Sequence, residues 1–196
     1  SIIGQTEILI YLLGLLCSVV TNYFLNITSP TMSFEVGYIC GVPVLWSDDK
    51  KQIVIKLVNM SITLSRADWD AFETSWDFNR HPLICGEPMV ASAFAKWKCE
   101  AAERFDNLKA NEEELNRIFI DIYGLQDELI PEVEDKDVTV RRADLGREIR
   151  SLISYAVGCI FGRYSLDKDG LAYAGGDWDA SKYRSYQPDD DGIIAV

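Results

Sequence analysis

The fold is decided by residues 88–124, which read PMVASAFAKWKCEAAERFDNLKANEEELNRIFIDIYG. Apolar side chains recur here at a strict interval of seven, and further apolar residues lie three or four positions from them. This spacing predicts a long amphipathic helix with a coiled-coil-like seam. At 1.5 Å per residue such a helix is about 50 Å long, which suits a spacer, and Gly124 is its expected cap. The series comprises Phe94, Ala101, Leu108, Leu115 and Ile122, flanked by Trp97, Phe105 and Ile118.

The net charge of −12 over 196 residues is concentrated in one segment. Residues 100–137 hold 13 acids and 4 bases, so the polar faces of the long helix and the loop after it are strongly acidic. Residues 138–164 reverse the sign, with five arginines against two acids. A hydrophobic content of 48% excludes a disordered acidic tail, and the overall charge argues against a simple nucleic-acid-binding domain.

Residues 8–20 form an apolar run, ILIYLLGLLCSVV, and no lysine or arginine precedes Lys50. A signal peptide needs a basic leading region, and a membrane span needs about 20 apolar residues. Neither condition is met, so the run predicts one helix over about residues 6–25 that is buried on most sides. The five cysteines are odd in number and lack Cys-x-x-Cys spacing, which indicates free thiols in a reducing cytoplasm.

The remaining stretches complete a mainly α fold with minor β, in which a long helical spacer joins short extended segments. Residues 33–45 predict a strand or extended edge piece, and the stretch after residue 49 fits either a helix or a strand. Residues 65–68 resemble a capping box that opens a short aromatic helix with Trp69, Phe72 and Trp76. Residues 142–161 predict a last helix, ended by Gly162. Its expected buried stripe comprises Leu145, Ile149, Leu152, Ile153, Ala156 and Ile160.

Motifs for catalysis and metal binding are missing from the sequence. His81 is the single histidine, and its place before Pro82 in a turn indicates a structural role rather than a catalytic pair or a zinc site. The glycine-rich nucleotide-binding motifs are absent. The stretch Asp-Lys-Asp-Gly at residues 167–170 fails as a calcium loop, because Gly176 stands where the twelfth-position glutamate belongs. We therefore predict neither catalytic residues nor a metal site.

An arginine cluster is the one positive feature with chemical content. Its planar guanidinium groups suit contact with phosphate. The alternative is structural: the arginines pair with the acidic residues of 100–137. The candidates for contact with a DNA backbone are Arg141, Arg142, Arg147, Arg150 and Arg163.

Several stretches resemble a known family. The first part is similar to the end of the methyltransferase region in large adenine-specific DNA methyltransferases, in residues 11–16 (YLLGLL), 22–25 (NYFL), 29–39 (SPTMSFEVGYI) and 42–44 (VPV). Further stretches resemble PglX, the methyltransferase family of class 1 BREX phage-defence systems. They are residues 69–70 (WD), 72–78 (FETSWDF), 81–83 (HPL), 108–125 (LKANEEELNRIFIDIYGL), 153–159 (ISYAVGC) and 161–167 (FGRYSLD).

The resemblance implies a parent protein that transfers methyl from S-adenosylmethionine to adenine N6 of DNA. The family's Asn-Pro-Pro-Tyr and glycine-rich cofactor motifs are absent here, so no catalytic residue carries over and no cofactor is expected in this segment. It implies three parts: residues 1–46 as the C-terminal end of the methyltransferase domain, 47–164 as a helical spacer, and 165–196 as the truncated start of a target-recognition region. Expected partners are DNA, the missing domains and other defence proteins, with no membrane.

Two alternatives from other classes stay open. One is a helical partner-docking module without catalysis, and the other is an acidic inhibitor that mimics DNA. The chain opens at Ser1 without an initiator methionine and closes on the apolar residues 192–196. We therefore expect an excised portion of a longer protein rather than a complete inhibitor.

Overall fold

The computed structural model describes residues 2–28 and 35–188 and contains α-helices but no strand within those ranges. The prediction of a mainly α fold is confirmed. In chain order the helices are α1 (Ile2–Leu16), α2 (Val19–Thr28), α3 (Val36–Cys40), α4 (Lys51–Trp69), α5 (Val90–Tyr123) and α6 (Leu145–Ile160). A 3₁₀ turn follows at Ala180–Lys182.

The long helix predicted from the seven-residue repeat is α5, with 34 residues. Gly124 ends it with a φ of +66°, a left-handed conformation that favours glycine. The amide of Leu125 donates to the carbonyl of Ile120 at 3.0 Å, and that of Gly124 donates to Asp121 at 3.3 Å. These two bonds form a Schellman motif, which satisfies the last carbonyls of the helix.

The single helix predicted over residues 6–25 is wrong, because the chain breaks between α1 and α2 with a bend of 67°. The hydroxyls of Ser18 and Thr21 both donate to the carbonyl of Leu15 at 2.7 Å. The amide of Val19 donates to the side chain of Asn116 at 3.0 Å. The break is stable because side chains satisfy the backbone groups that a continuous helix would have paired.

Of the strand or extended edge piece predicted over residues 33–45, no strand forms within the described residues: α3 occupies part of the stretch, and residues 43–45 are extended. Residues 33 and 34 lie outside the described ranges. The extended residues that follow are satisfied by tyrosine hydroxyls rather than by a neighbouring strand. Tyr11 Oη donates to the carbonyl of Leu45 at 3.0 Å, and the amide of Leu45 donates to Tyr123 Oη at 3.1 Å. Tyr123 Oη also donates to the carbonyl of Pro43.

The short aromatic helix predicted after residue 65 does not form. Helix α4, the stretch that fits either a helix or a strand, continues through these positions to Trp69. Asp68 does not cap a new helix, because its carboxylate is engaged by arginines. The aromatic residues then separate: Phe72 is buried, whereas Trp76 is fully exposed on a turn.

The chain divides into two compact units. Unit 1 comprises Ser1–Ser65 and Phe105–Thr139. Its core joins α1, α2, α4 and α5, and Gly14 lets α1 approach α4 closely, since a Cβ there would lie 2.7 Å from Val58 Cγ2. The buried members are Tyr11, Leu15, Val20, Val54, Val58, Leu115, Ile118, Phe119 and Ile120.

Unit 2 comprises Arg66–Arg104 and Val140–Val196, with two small cores. The buried stripe predicted for α6 is wrong in part: Leu145, Ile153 and Ala156 are exposed, and Glu148, Tyr155 and Cys159 are buried instead. Helix α6 buries a different face from the predicted one because the ring of Tyr155 stacks on that of Tyr164, with the ring centroids 5.1 Å apart. The predicted cap is present, since Gly162 has a φ of +72°.

No single helix among the described residues is both long and apolar enough to cross a bilayer. The bent pair Gln5–Leu16 and Val19–Thr28 reaches the required length and composition only when its two members are taken together. All five cysteines lie in the described ranges as free thiols.

Candidate nucleic-acid interface

Arg141 is held in unit 2 by a carboxylate and an aromatic ring. Its backbone amide and its Nε both donate to Asp68, each at 3.3 Å. The guanidinium carbon lies 3.9 Å from the centroid of the Phe72 ring. Such stacking suits the weakly hydrated, planar guanidinium group and fixes its orientation.

Arg147 forms a two-pronged ion pair with its neighbour Glu148. Its Nε and Nη2 lie 2.8 Å from the two carboxylate oxygens. Nη2 also donates to the carbonyl of Arg142 at 2.8 Å. The backbone amide of Arg147 donates to Asp144 Oδ1 at 2.7 Å, so Asp144 is the N-cap of α6. This cap and the ion pair together fix the first turn of the helix.

Glu148 is 1% exposed and stays ionised. Burial by itself would raise the pKa of its carboxyl. Hydrogen bonds from Arg147, from Trp97 Nε1 at 3.1 Å and from the backbone amide of Asp144 outweigh burial and lower the pKa. The same carboxylate raises the pKa of Arg147. The pair is therefore charged at neutral pH.

Arg104 also belongs to this cluster, although it lies in the acidic segment 100–137 and is not among the five arginines predicted from the sequence. Its Nη1 lies 3.9 Å from Asp68 Oδ1, and its guanidinium carbon lies 4.8 Å from the Trp97 ring centroid. Asp68 thus pairs with both Arg104 and Arg141, and the three side chains together keep one net positive charge. No local sequence pattern predicts that Asp68 pairs with Arg104 and Arg141. The aromatic residues Trp97 and Phe72 are the one indication in the sequence, because arginine stacks on such rings.

Of the five predicted arginines, the structure brings Arg141, Arg142 and Arg147 together. Arg141 and Arg147 both lie over Phe72, the second at 5.5 Å. Arg150 projects from the exposed side of α6, and no ion pair holds it within the described part of the chain. Arg163 follows the other end of α6, about 24 Å away by helix length, with its guanidinium 5.5 Å from the Tyr164 ring. The partners of Arg141 and Arg147 are Asp68 and Glu148 rather than acids of residues 100–137.

The other residues considered from sequence have structural roles. His81 is 2% exposed, its Nδ1 accepts from the amide of Leu83 at 3.2 Å, and burial lowers its pKa to about 4. Asp167 accepts from the amides of Arg184 and Ser185 at 2.6 and 2.7 Å. Asp169 pairs with Arg80 at 3.0 Å. No group of three or more potential metal ligands occurs among the described residues.

Within the described residues, the fold and the cluster define a mainly helical protein of two units that carries a group of arginine and aromatic side chains. No family model matches the chain. It is 50% identical over 194 residues to the adenine-specific methyltransferase PglX of Lacticaseibacillus casei (strain Zhang), which covers 96% of this chain and 16% of that protein. It is 32% identical over 222 aligned residues to the adenine-specific methyltransferase BrxX of Escherichia coli O9:H4 (strain HS), covering 98% of this chain and 18% of that protein.

The chain thus spans about one sixth of the length of the curated relatives it matches. The resemblance to PglX predicted from the sequence is confirmed over nearly the whole chain.

Proposed function

We propose that this chain is a segment of an S-adenosylmethionine-dependent DNA adenine N6-methyltransferase of a cytoplasmic phage-defence system. The observation that carries the proposal is the 50% identity to PglX over 96% of the chain. At this identity a shared role is the simplest account. The segment itself acts as a helical connector that touches the DNA backbone.

The connector role is supported by α5. A helix of 34 residues is about 51 Å long, and residues from both of its halves contribute to compact cores. A helix anchored along its length by packing resists bending better than a flexible linker does. We propose that residues 1–46 close the methyltransferase domain, residues 47–164 set its distance from the recognition part, and residues 165–196 begin that part.

Contact with DNA is supported by a difference among the arginines: some are fixed by ion pairs and others are exposed. Arg141 and Arg147 are fixed by Asp68, Glu148 and Phe72, which gives the cluster a rigid base. Arg150 and Arg163 expose their guanidinium groups on α6 and just beyond it. We assign the phosphate contacts to these two residues. Arg141, Arg142 and Arg147 add positive charge to the same surface without contacting phosphates themselves.

We assign the S-adenosylmethionine site to parts of the parent protein outside the described residues. A cavity in unit 1 is lined by one glycine, Gly14, but that residue lies inside α1 and faces the Val58 side chain at close range. A glycine-rich turn between a strand and a helix, which holds such cofactors, does not occur in the described ranges. No methyl-transfer step is therefore assigned to this segment; the cofactor belongs to the parent protein.

The intact protein and the 196-residue chain test the proposal together. Each is incubated with S-adenosylmethionine carrying a labelled methyl group and with DNA, and N6-methyladenine is measured by mass spectrometry. The intact protein is expected to methylate DNA, and the isolated chain is expected to leave it unmodified. Methylation by the isolated chain, or none by the intact protein with its defence partners present, would contradict the proposal.

A partner-docking module has support of its own in the exposed apolar face of α1. Leu9, Leu13 and Leu16 lie at positions i, i+4 and i+7, and they are 67%, 41% and 42% exposed. The DNA-mimic alternative has less support, because acids that would have to imitate phosphates are paired with bases, as in Lys109–Asp135 and Lys136–Glu134.

A further inference from the structure

Unit 1 contains a cavity of about 820 Å³. Its walls come from the end of α1, from α4 and α5, and from the loop after α5. One side is apolar, and two of its leucines are those of the exposed α1 face, so an apolar surface continues from the helix into the cavity. The apolar side includes Leu13, Leu16, Val19, Ile62, Leu108 and Leu115.

Part of the cavity lining is acidic. Glu112 on α5 and three acids of the following loop form this part, and no lysine or arginine is among the described lining residues. Glu134 is neutralised by Lys136, whose Nζ lies 2.8 Å from its carboxylate. Glu112 differs, because it is half-buried and forms neither a hydrogen bond nor an ion pair within residues 2–28 and 35–188.

Burial raises the pKa of Glu112 to about 7, and no basic group offsets this effect. The nearby thiol of Cys17 also has a raised pKa, through burial first and through the negative charge of Glu112 second. A half-buried carboxylate without a partner is an unfavourable arrangement that a cation would relieve. Below pH 7 the carboxyl is relieved by its own proton; above that pH a basic group of a binding partner would relieve it, since the described lining supplies no cation.

We propose that this cavity binds a basic segment of another polypeptide, with an arginine or lysine side chain placed against Glu112 and flanking apolar side chains along Leu13 and Leu16. Charge complementarity selects this occupant: a neutral apolar segment would bury the Glu112 charge, and an acidic one would add repulsion. The volume suits one long side chain with its neighbours. The inference is independent of the proposed function.

Two matched peptides test the proposal on the 196-residue chain. They are acetyl-Leu-Ala-Arg-Leu-Ala-amide and the same peptide with citrulline, which keeps the shape of arginine but carries no charge. Binding is measured by isothermal titration calorimetry at pH 8, where Glu112 is ionised. The arginine peptide is expected to bind about tenfold more tightly or better, because a charge-assisted hydrogen bond contributes on that order.

Substitution of Glu112 tests whether this carboxylate causes the preference for arginine. In E112Q the preference for arginine over citrulline is expected to fall to about one, since the amide keeps the shape and removes the charge. E103Q is the control, because Glu103 lies on the same helix, is exposed and does not line the cavity. Its preference is expected to equal that of the unmodified chain. Equal loss in both variants would show general attraction to the acidic chain and would overturn the proposal.

A second measurement locates the bound peptide. Cys17 lines the cavity and is exposed, so the arginine peptide is expected to slow its labelling by maleimide, while labelling of exposed Cys99 stays unchanged. Failure of the arginine peptide to bind would overturn the proposal. So would self-association of the chain, seen by sedimentation, that protects Cys17 without peptide, because the occupant would then be a second copy.

Discussion

Trp97 Nε1 donates a hydrogen bond to Glu148 Oε1 at 3.1 Å, and the two buried side chains are 51 residues apart in the chain. The bond joins α5 to α6 inside unit 2 and anchors the carboxylate that pairs with Arg147. A carboxylate buried in this way stays ionised only while its hydrogen-bond donors are present.

Removal of this carboxylate is expected to weaken unit 2 strongly. E148A leaves Arg147 and Trp97 without their acceptor, and breaking such a buried pair costs about 3–5 kcal/mol. The free energy of unfolding from urea denaturation at pH 7 measures the loss. E103A, at an exposed position of α5, should change it by no more than about 0.5 kcal/mol. Equal stability of E148A and E103A would contradict the structural role of Glu148.

The close contact of α1 with α4 predicts that G14A destabilises unit 1. The added methyl group would lie 2.7 Å from Val58 Cγ2, and such overpacking costs about 1–3 kcal/mol. The second substitution V58A makes room, so G14A is expected to cost less in the V58A background than alone. G37A is a control, because no atom lies within 4 Å of its new methyl group. Additive effects of G14A and V58A in urea denaturation would argue against direct contact.

Buried His81 predicts a loss of stability in acid. Its pKa is about 4 in the folded chain and about 6.5 when unfolded, so the unfolded chain binds the extra proton between these values. The contribution of His81 is complete above pH 6.5 and is lost as the pH falls toward 4. H81N retains an acceptor for the Leu83 amide but does not titrate. The pH dependence of its unfolding free energy should be shallower by up to about 1.4 kcal/mol per pH unit in this range; an unchanged slope would show that His81 is not the titrating group.

Glu112 is expected to change the free energy of unfolding with pH in the opposite direction from His81. Its pKa is raised to about 7 in the folded chain, so the folded chain holds a proton that the unfolded chain loses above pH 4.5. Stability from this group is present below pH 4.5 and lost as the pH rises through 7. E112Q should therefore gain stability over the unmodified chain as the pH is raised from 5 to 8, measured by urea denaturation. A difference that is constant over this range would contradict the raised pKa.

The sequence predicted the elements that local periodicity controls. The seven-residue repeat specifies α5, and the glycines at 124 and 162 end α5 and α6 because only the local backbone matters there. The prediction from the sequence is wrong where residues distant in the chain determine the backbone conformation. Asn116 stabilises the break at Val19 from 97 residues away, and Tyr123 satisfies the extended backbone at Leu45 from 78 residues away.

The same distinction applies to the candidate interface. The five arginines were visible as a charge reversal, but their division into fixed and exposed groups depends on Asp68, which lies 73 residues before Arg141. The membership of Arg104 depends on the same carboxylate. The face of α6 was misplaced because Tyr155 and Glu148 are buried by specific partners that hydrophobicity does not reveal.

The salt dependence of DNA binding tests the central claim most directly. Binding of the 196-residue chain to a fluorescent DNA duplex is followed by anisotropy from low to physiological salt. Each phosphate contact contributes roughly 0.9 to the slope of log K against log salt, so the R150A/R163A variant should lose about 1.8, while R66A, an exposed arginine on α4, should leave the slope unchanged. Absence of binding at low salt, or an unchanged slope in R150A/R163A, would contradict contact between these arginines and the DNA backbone.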